Sequence, residues 1–102
     1  MPLVLCRHGE RYDYTHPGWT QAASRPWDTP LTDIGHAQAR AAAASIARHL
    51  EALGLPAAAR VFSSPLLRCA ETASNIASEL GLGAVSVEPD LVETICENWY
   101  YS

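Results

Sequence analysis

The stretch Arg60-Val61-Phe62-Ser63-Ser64-Pro65-Leu66-Leu67-Arg68-Cys69 decides the fold class. Arg60 to Ser63 reads as a short strand. Ser64 reads as a helix N-cap, with Pro65 at the favoured first helical position. Beyond it, Leu66, Cys69, Ala70, Ala73, Ile76, Ala77 and Leu80 recur at three-and-four spacing, which predicts an amphipathic helix. Gly81 and Gly83 close that helix, and Ala84-Val85-Ser86-Val87 reads as a further strand. Strand, helix and strand in succession imply a parallel pair joined by a crossover helix.

Upstream, Leu3-Val4-Leu5-Cys6 is a continuous apolar run, the pattern of a strand buried on both faces of a parallel sheet. Residues 8–31 hold Gly9, Pro17, Gly18, Pro26 and Pro30, with Trp19 and Trp27 between them. They read as a long, packed loop, and loops of this length are usually functional or disordered. Thr32 is a suitable N-cap, with Asp33 in the first turn. The helix that follows is expected to bury Ile34, Ala42, Ile46, Leu50 and Leu53 and to expose Asp33, His36, Arg40, Arg48 and Glu51. Gly54 and Pro56 stop it. Alternation of this kind predicts an α/β fold with a mainly parallel sheet, residues 1–102 forming one domain. The last stretch, Glu88 to Ser102, has no clear period.

The chain has 102 residues, 48% of them hydrophobic and 18% charged, which fits a folded globular domain. Residues 1–70 carry seven Arg and five acids, residues 71–102 six acids and no base. An acidic chain without Lys lacks the basic footprint of a nucleic-acid binder. No apolar run approaches the roughly 20 residues needed to span a bilayer. The N-terminus has no basic segment ahead of its apolar stretch, so no secretory signal is read. Three Cys without a C-x-x-C pair argue against a disulfide framework or a zinc knuckle and point to a reducing, cytoplasmic setting.

In open α/β sheets ligands bind beyond the carboxyl ends of the strands. Here those ends are Arg7-His8-Gly9-Glu10-Arg11, Ser63-Ser64-Pro65-Leu66-Leu67-Arg68 and Glu88-Pro89-Asp90-Leu91-Val92-Glu93. The first two bring three Arg and one His to one rim, and the second also feeds a helix N-terminus, which favours anions. Arg forks match phosphate oxygens. An imidazole with a free nitrogen can attack phosphorus, and a carboxylic acid can protonate the leaving group. His8 and Glu93 are the candidates for those two parts.

The run Leu5-Cys6-Arg7-His8-Gly9-Glu10-Arg11-x-Asp13 resembles the signature of the histidine phosphatase superfamily, the phosphoglycerate-mutase-like fold. Arg25-Pro26-Trp27-Asp28-Thr29-Pro30-Leu31-Thr32 with Gly35, Phe62 to Cys69 with Thr72-Ala73, and Val87-Glu88-Pro89-x-Leu91-x-Glu93 resemble three further segments of that family, in order. The resemblance implies a three-layer α/β/α architecture. It gives His8 the role of phosphohistidine, Arg7, Arg11 and Arg68 that of phosphoryl clamp, and Glu93 that of proton donor. The R-H-G-E-R form looks more like the family's phosphatases than its sugar-phosphate mutases. The implied substrate is a small-molecule or protein phosphomonoester. No metal or other cofactor is implied, because the Arg clamp neutralises the phosphoryl charge.

The family also has a second catalytic His, in a short H-G motif downstream of the acid, on a strand at the centre of the sheet. His16, His36 and His49 do not fill that part: the first lies in the early loop, the others on the first long helix. The expectation is therefore a partial domain, a fragment or truncated product lacking its C-terminal part, with weak or lost catalysis and marginal stability. Loss of one preorganised donor costs on the order of 100- to 1000-fold in rate. A non-catalytic fragment that binds phosphorylated ligands or a partner through the Arg rim is the alternative. A remote one is a rhodanese-like loop, C-R-x-G-x-R, in which Cys6 carries sulfur.

Overall fold

The computed structural model describes residues 3–91. Its elements are α1 (Tyr12–Thr15), α2 (Trp19–Ala22), α3 (Asp33–Ala52), β1 (Phe62–Ser63), α4 (Leu67–Glu79), β2 (Ser86–Val87) and a 3₁₀ turn at Pro89–Leu91. β1 and β2 pair in parallel, Phe62 opposite Ser86 and Ser63 opposite Val87, with α4 as their crossover. The α/β class read from residues 60–87 is the observed one.

α3 starts where Thr32 predicts, its hydroxyl accepting a hydrogen bond from Gly35 N at 3.0 Å. It ends at Gly54, and α4 at Gly81, both with positive φ (66° and 73°), a conformation glycine adopts without steric cost. α3 and α4 pack along each other. The buried residues are Gly35, Ala39, Ala43 and Leu50 on α3, and Arg68, Thr72, Ala73, Ile76 and Ala77 on α4. Small residues on both helices allow the axes to come close.

Three expectations are corrected here. Leu3 to Cys6 forms no strand, and Leu3 and Leu5 stand 80% and 87% exposed. A strand needs a neighbour to complete its ladder, and among the described residues β1 pairs with β2 alone. Leu3 and Val4 instead line a cleft of about 220 Å³ against Ile46, His49, Leu50 and Leu53 of the first long helix and the residues after it. The buried stripe of α3 is turned from the expected one: Leu50 is buried as expected, but Ile34 and Leu53 are exposed and Gly35, Ala39 and Ala43 are buried, while His36 is half-buried against Asn75 of α4 and Arg40, exposed as expected, reaches the same Asn75. The run Ala41 to Ala44 makes the apolar pattern nearly uniform around the helix, so it could not fix the phase. Finally, α4 begins at Leu67, two residues later than Pro65 suggests, and Ser64 Oγ accepts from Leu66 N at 3.3 Å.

The segment read as a loop, residues 8–31, is packed and contains α1 and α2. Trp19 Nε1 donates to the Pro26 carbonyl at 2.9 Å, and Arg11 forms an isolated antiparallel bridge with Leu31. Leu31 N donates to Glu71 Oε1 at 2.8 Å, fastening the end of the loop to α4.

Candidate active site

Arg7 and His8 share a shallow depression of about 230 Å³ with Gly9, Glu10, Tyr14 and Gln38. Arg7 is exposed and His8 half-buried. His8 Nδ1 lies 2.8 Å from the Gly9 carbonyl oxygen. A carbonyl only accepts, so Nδ1 carries the proton and Nε2 keeps the ring's lone pair, a tautomer assigned from that partner.

Gly9 matters for close packing and not for a turn: its φ is not positive. A Cβ there would lie 2.4 Å from the Gly35 carbonyl oxygen, and a Cβ on Gly35 would lie 2.4 Å from the Glu10 carbonyl oxygen. Two glycines thus let the His8 segment rest directly on the first turn of α3. Four bonds hold it there. Gly9 N donates to Thr72 Oγ1 (3.1 Å), Glu10 N to Gln38 Oε1 (2.8 Å), Thr32 N to the Glu10 carbonyl (3.0 Å) and Thr32 Oγ1 to Glu10 Oε1 (2.8 Å). Thr72 donates in turn to the Arg68 carbonyl at 2.8 Å, so the His8 segment and the turn of α4 carrying Arg68 are joined through one hydroxyl.

The guanidinium groups of Arg11 and Arg68 do not line the depression with His8. Arg11 binds Asp13 bidentately, Nε to Oδ1 at 3.0 Å and Nη2 to Oδ2 at 2.7 Å, and lies 4.5 Å from the Tyr14 ring centroid. Arg68 is 1% exposed and donates from Nη1 to the Trp27 carbonyl at 2.8 Å. Glu93 lies outside the described residues. Sequence reasoning missed Gln38, Thr72 and Asp28 as parts of the surroundings. Asp28 Oδ1 accepts from Leu67 N at 2.6 Å, so a carboxylate of the chain takes up the start of α4, where the sequence suggested room for a bound anion. Only the three-dimensional path of residues 17–30 brings Asp28 there, although Asp is a capping type.

The Cys6 thiol is exposed and bonds the Arg7 carbonyl at 3.4 Å. The N–H groups of Gly9 and Glu10 point to Thr72 and Gln38, so they do not cradle a Cys6 anion as a rhodanese-like loop requires. Among the described residues no group of His, Cys, Asp and Glu could hold a metal ion. No helix among them is long and apolar enough to cross a membrane.

Several solved structures are similar to this chain. A mycobacterial glucosyl-3-phosphoglycerate phosphatase, solved with VO₃, is 30% identical with a TM-score of 0.60; the match covers 85% of this chain and 36% of that one. The ecdysone phosphate phosphatase of Bombix mori, solved with tungstate, is 28% identical with a TM-score of 0.62, covering 85% and 42%. A protein described as mycobacterial hydrolase 1 is 27% identical with a TM-score of 0.59, covering 83% and 35%. The chain thus spans 35–42% of the length of these structures. No curated protein matches it. The family model of the histidine phosphatase superfamily (branch 1) matches residues 3–101, nearly the whole chain, and the chain belongs to that superfamily.

Proposed function

We propose that this chain is one portion of a cytoplasmic histidine-phosphatase domain and transfers a phosphoryl group from a phosphomonoester to water through His8. The carrying observation is the His8 ring: Nδ1 bonded to the Gly9 carbonyl, Nε2 left with its lone pair, and Arg7 on the same depression. In the proposed reaction Nε2 attacks phosphorus and the ester P–O bond breaks, its electron pair going to the leaving oxygen. That oxygen takes a proton from a carboxylic acid, the part proposed for Glu93. Water then gives a proton back to that carboxylate and attacks the phosphohistidine, the P–N bond breaks with its electron pair returning to Nε2, and inorganic phosphate leaves with His8 neutral again.

Arg7 is proposed to neutralise phosphoryl oxygens, helped by Arg11 and Arg68. The tungstate and VO₃ complexes of the similar phosphatases support a site for phosphate-like oxyanions. Small phosphorylated substrates are the expected class.

Phosphate release from a panel of phosphomonoesters tests the proposal, with His8→Ala as control. Release that disappears in His8→Ala supports it. No release, with saturable phosphate binding that His8→Ala and Arg7→Ala weaken, replaces it with a phosphate-binding module.

A further inference from the structure

We infer that Gln38, from α3, and Thr72, from α4, are positioning residues that set the tautomer of His8 by clamping the two peptide groups on either side of Gly9. The inference deepens the proposed phosphohistidine function and rests on it for its meaning.

The peptide between Gly9 and Glu10 is trans, so its N–H and C=O point in opposite directions. Its N–H donates to Gln38 Oε1 at 2.8 Å, and its carbonyl meets His8 Nδ1 at 2.8 Å. Gln38 therefore fixes the direction in which the carbonyl faces the imidazole. Accepting from one end of a peptide also strengthens the acceptor at its other end. The preceding peptide, between His8 and Gly9, is held by its own N–H, which donates to Thr72 Oγ1 at 3.1 Å. Thr72 is 4% exposed and has its hydroxyl proton committed to the Arg68 carbonyl, so its oxygen is oriented to accept. Between the two clamps, the Gly9 backbone lies so close to α3 that a Cβ there would meet the Gly35 carbonyl oxygen at 2.4 Å.

The chemical consequence is specific. With Gly9 O fixed as an acceptor, His8 keeps its proton on Nδ1, and Nε2 stays a lone-pair nitrogen. Without the clamp the carbonyl can turn away, and the ring reverts toward the Nε2–H form that free imidazole side chains favour, which cannot attack phosphorus through Nε2. Gln38 lies on an exposed helix position, so its replacement tests this without dismantling the core.

The experiment measures side-chain ¹⁵N shifts of His8 in the ¹⁵N-labelled 102-residue chain over a rising pH series, read on the plateau where the shifts no longer change with pH. Loss of the signals in His8→Ala assigns them. The parent is expected to show a protonated Nδ1 and an unprotonated Nε2. Gln38→Leu should shift the tautomer ratio at least about threefold toward Nε2–H, and Gln38→Glu, which keeps an acceptor oxygen, should not. Thr72→Val should shift it in the same direction and Thr72→Ser should restore it. A parent ring mainly protonated at Nε2, or a folded Gln38→Leu with an unchanged ratio, overturns the inference. A chain that shows the expected tautomers but neither hydrolyses nor binds phosphomonoesters refutes the proposed function and leaves the clamp standing.

Discussion

Replacing Gly35 by Ala sets two opposing effects against each other. Gly35 is the third residue of α3, and its φ is not positive, so a methyl group is compatible with its backbone. On helix propensity alone, Ala should gain about 0.5–1 kcal/mol. The structure opposes that gain. The new Cβ would lie 2.4 Å from the Glu10 carbonyl oxygen, 2.9 Å from Glu10 N and 3.1 Å from Leu31 Cβ. Two of those atoms are backbone and cannot swing aside, so the Glu10 segment must move by most of an ångström. Overpacking of this kind costs about 1–3 kcal/mol, and backbone-on-backbone contact belongs at the upper end. The net expectation is a loss of about 1–2 kcal/mol, which for a domain of this size lowers Tm by roughly 5–15 °C. The displaced segment carries His8, so phosphate binding or release should fall further than the folded fraction does. Thermal and urea unfolding of Gly35→Ala measure the first effect and a phosphate assay at a temperature where both proteins are folded measures the second. Gly18→Ala is the control, since nothing lies within 4 Å of a Cβ there. A Gly35→Ala chain as stable as the parent would refute the close-packing account of the His8 segment.

Arg68→Met should destabilise by roughly 1–3 kcal/mol, because the Trp27 carbonyl loses its charged donor inside the protein; an unchanged urea midpoint would deny that this buried bond matters. Asp28→Ala should cost about 0.5–2 kcal/mol through the lost cap on α4, whereas Asp28→Asn, which keeps an acceptor, should retain most of it; equal losses in the two variants would point to charge and not to the cap. Cys6→Ala should leave phosphate chemistry as it is, and a variant that loses it would bring back a thiolate mechanism.

Local signals in the sequence carried well. Thr32 as a cap, Gly54 and Gly81 as stops and the strand–helix–strand order of residues 60–87 each depend on neighbours a few positions away; the caps and stops appear as read, and the order holds with shorter strands and a later start to α4. The pairing of Arg7 with His8 on one depression was also legible, since adjacent residues at a segment end cannot go far apart. What failed to show was non-local. The phase of α3 was hidden by alanines on every side, although Gly35, Ala39 and Ala43 at steps of four are the mark of a close helix contact. Leu3 to Cys6 has the composition of an inner strand, but composition does not supply a ladder partner. Asp28 on α4, Gln38 on Glu10 and Thr72 on Gly9 link segments 28 to 63 positions apart, and no periodicity encodes such meetings.

The hydroxyl that joins Gly9 to α4 closes a loop of 63 positions, and the bonds from Arg68 to Trp27 and from Leu31 to Glu71 close loops of 41 and 40. Each of these closures must be made against chain entropy that grows with the logarithm of loop length. High sequence separation slows folding more than it weakens the folded state. α3 and α4 can form early from local interactions, while the arrangement around the imidazole waits for the latest and longest-range encounters. In a refolding time course, helical signal should therefore recover before oxyanion binding does.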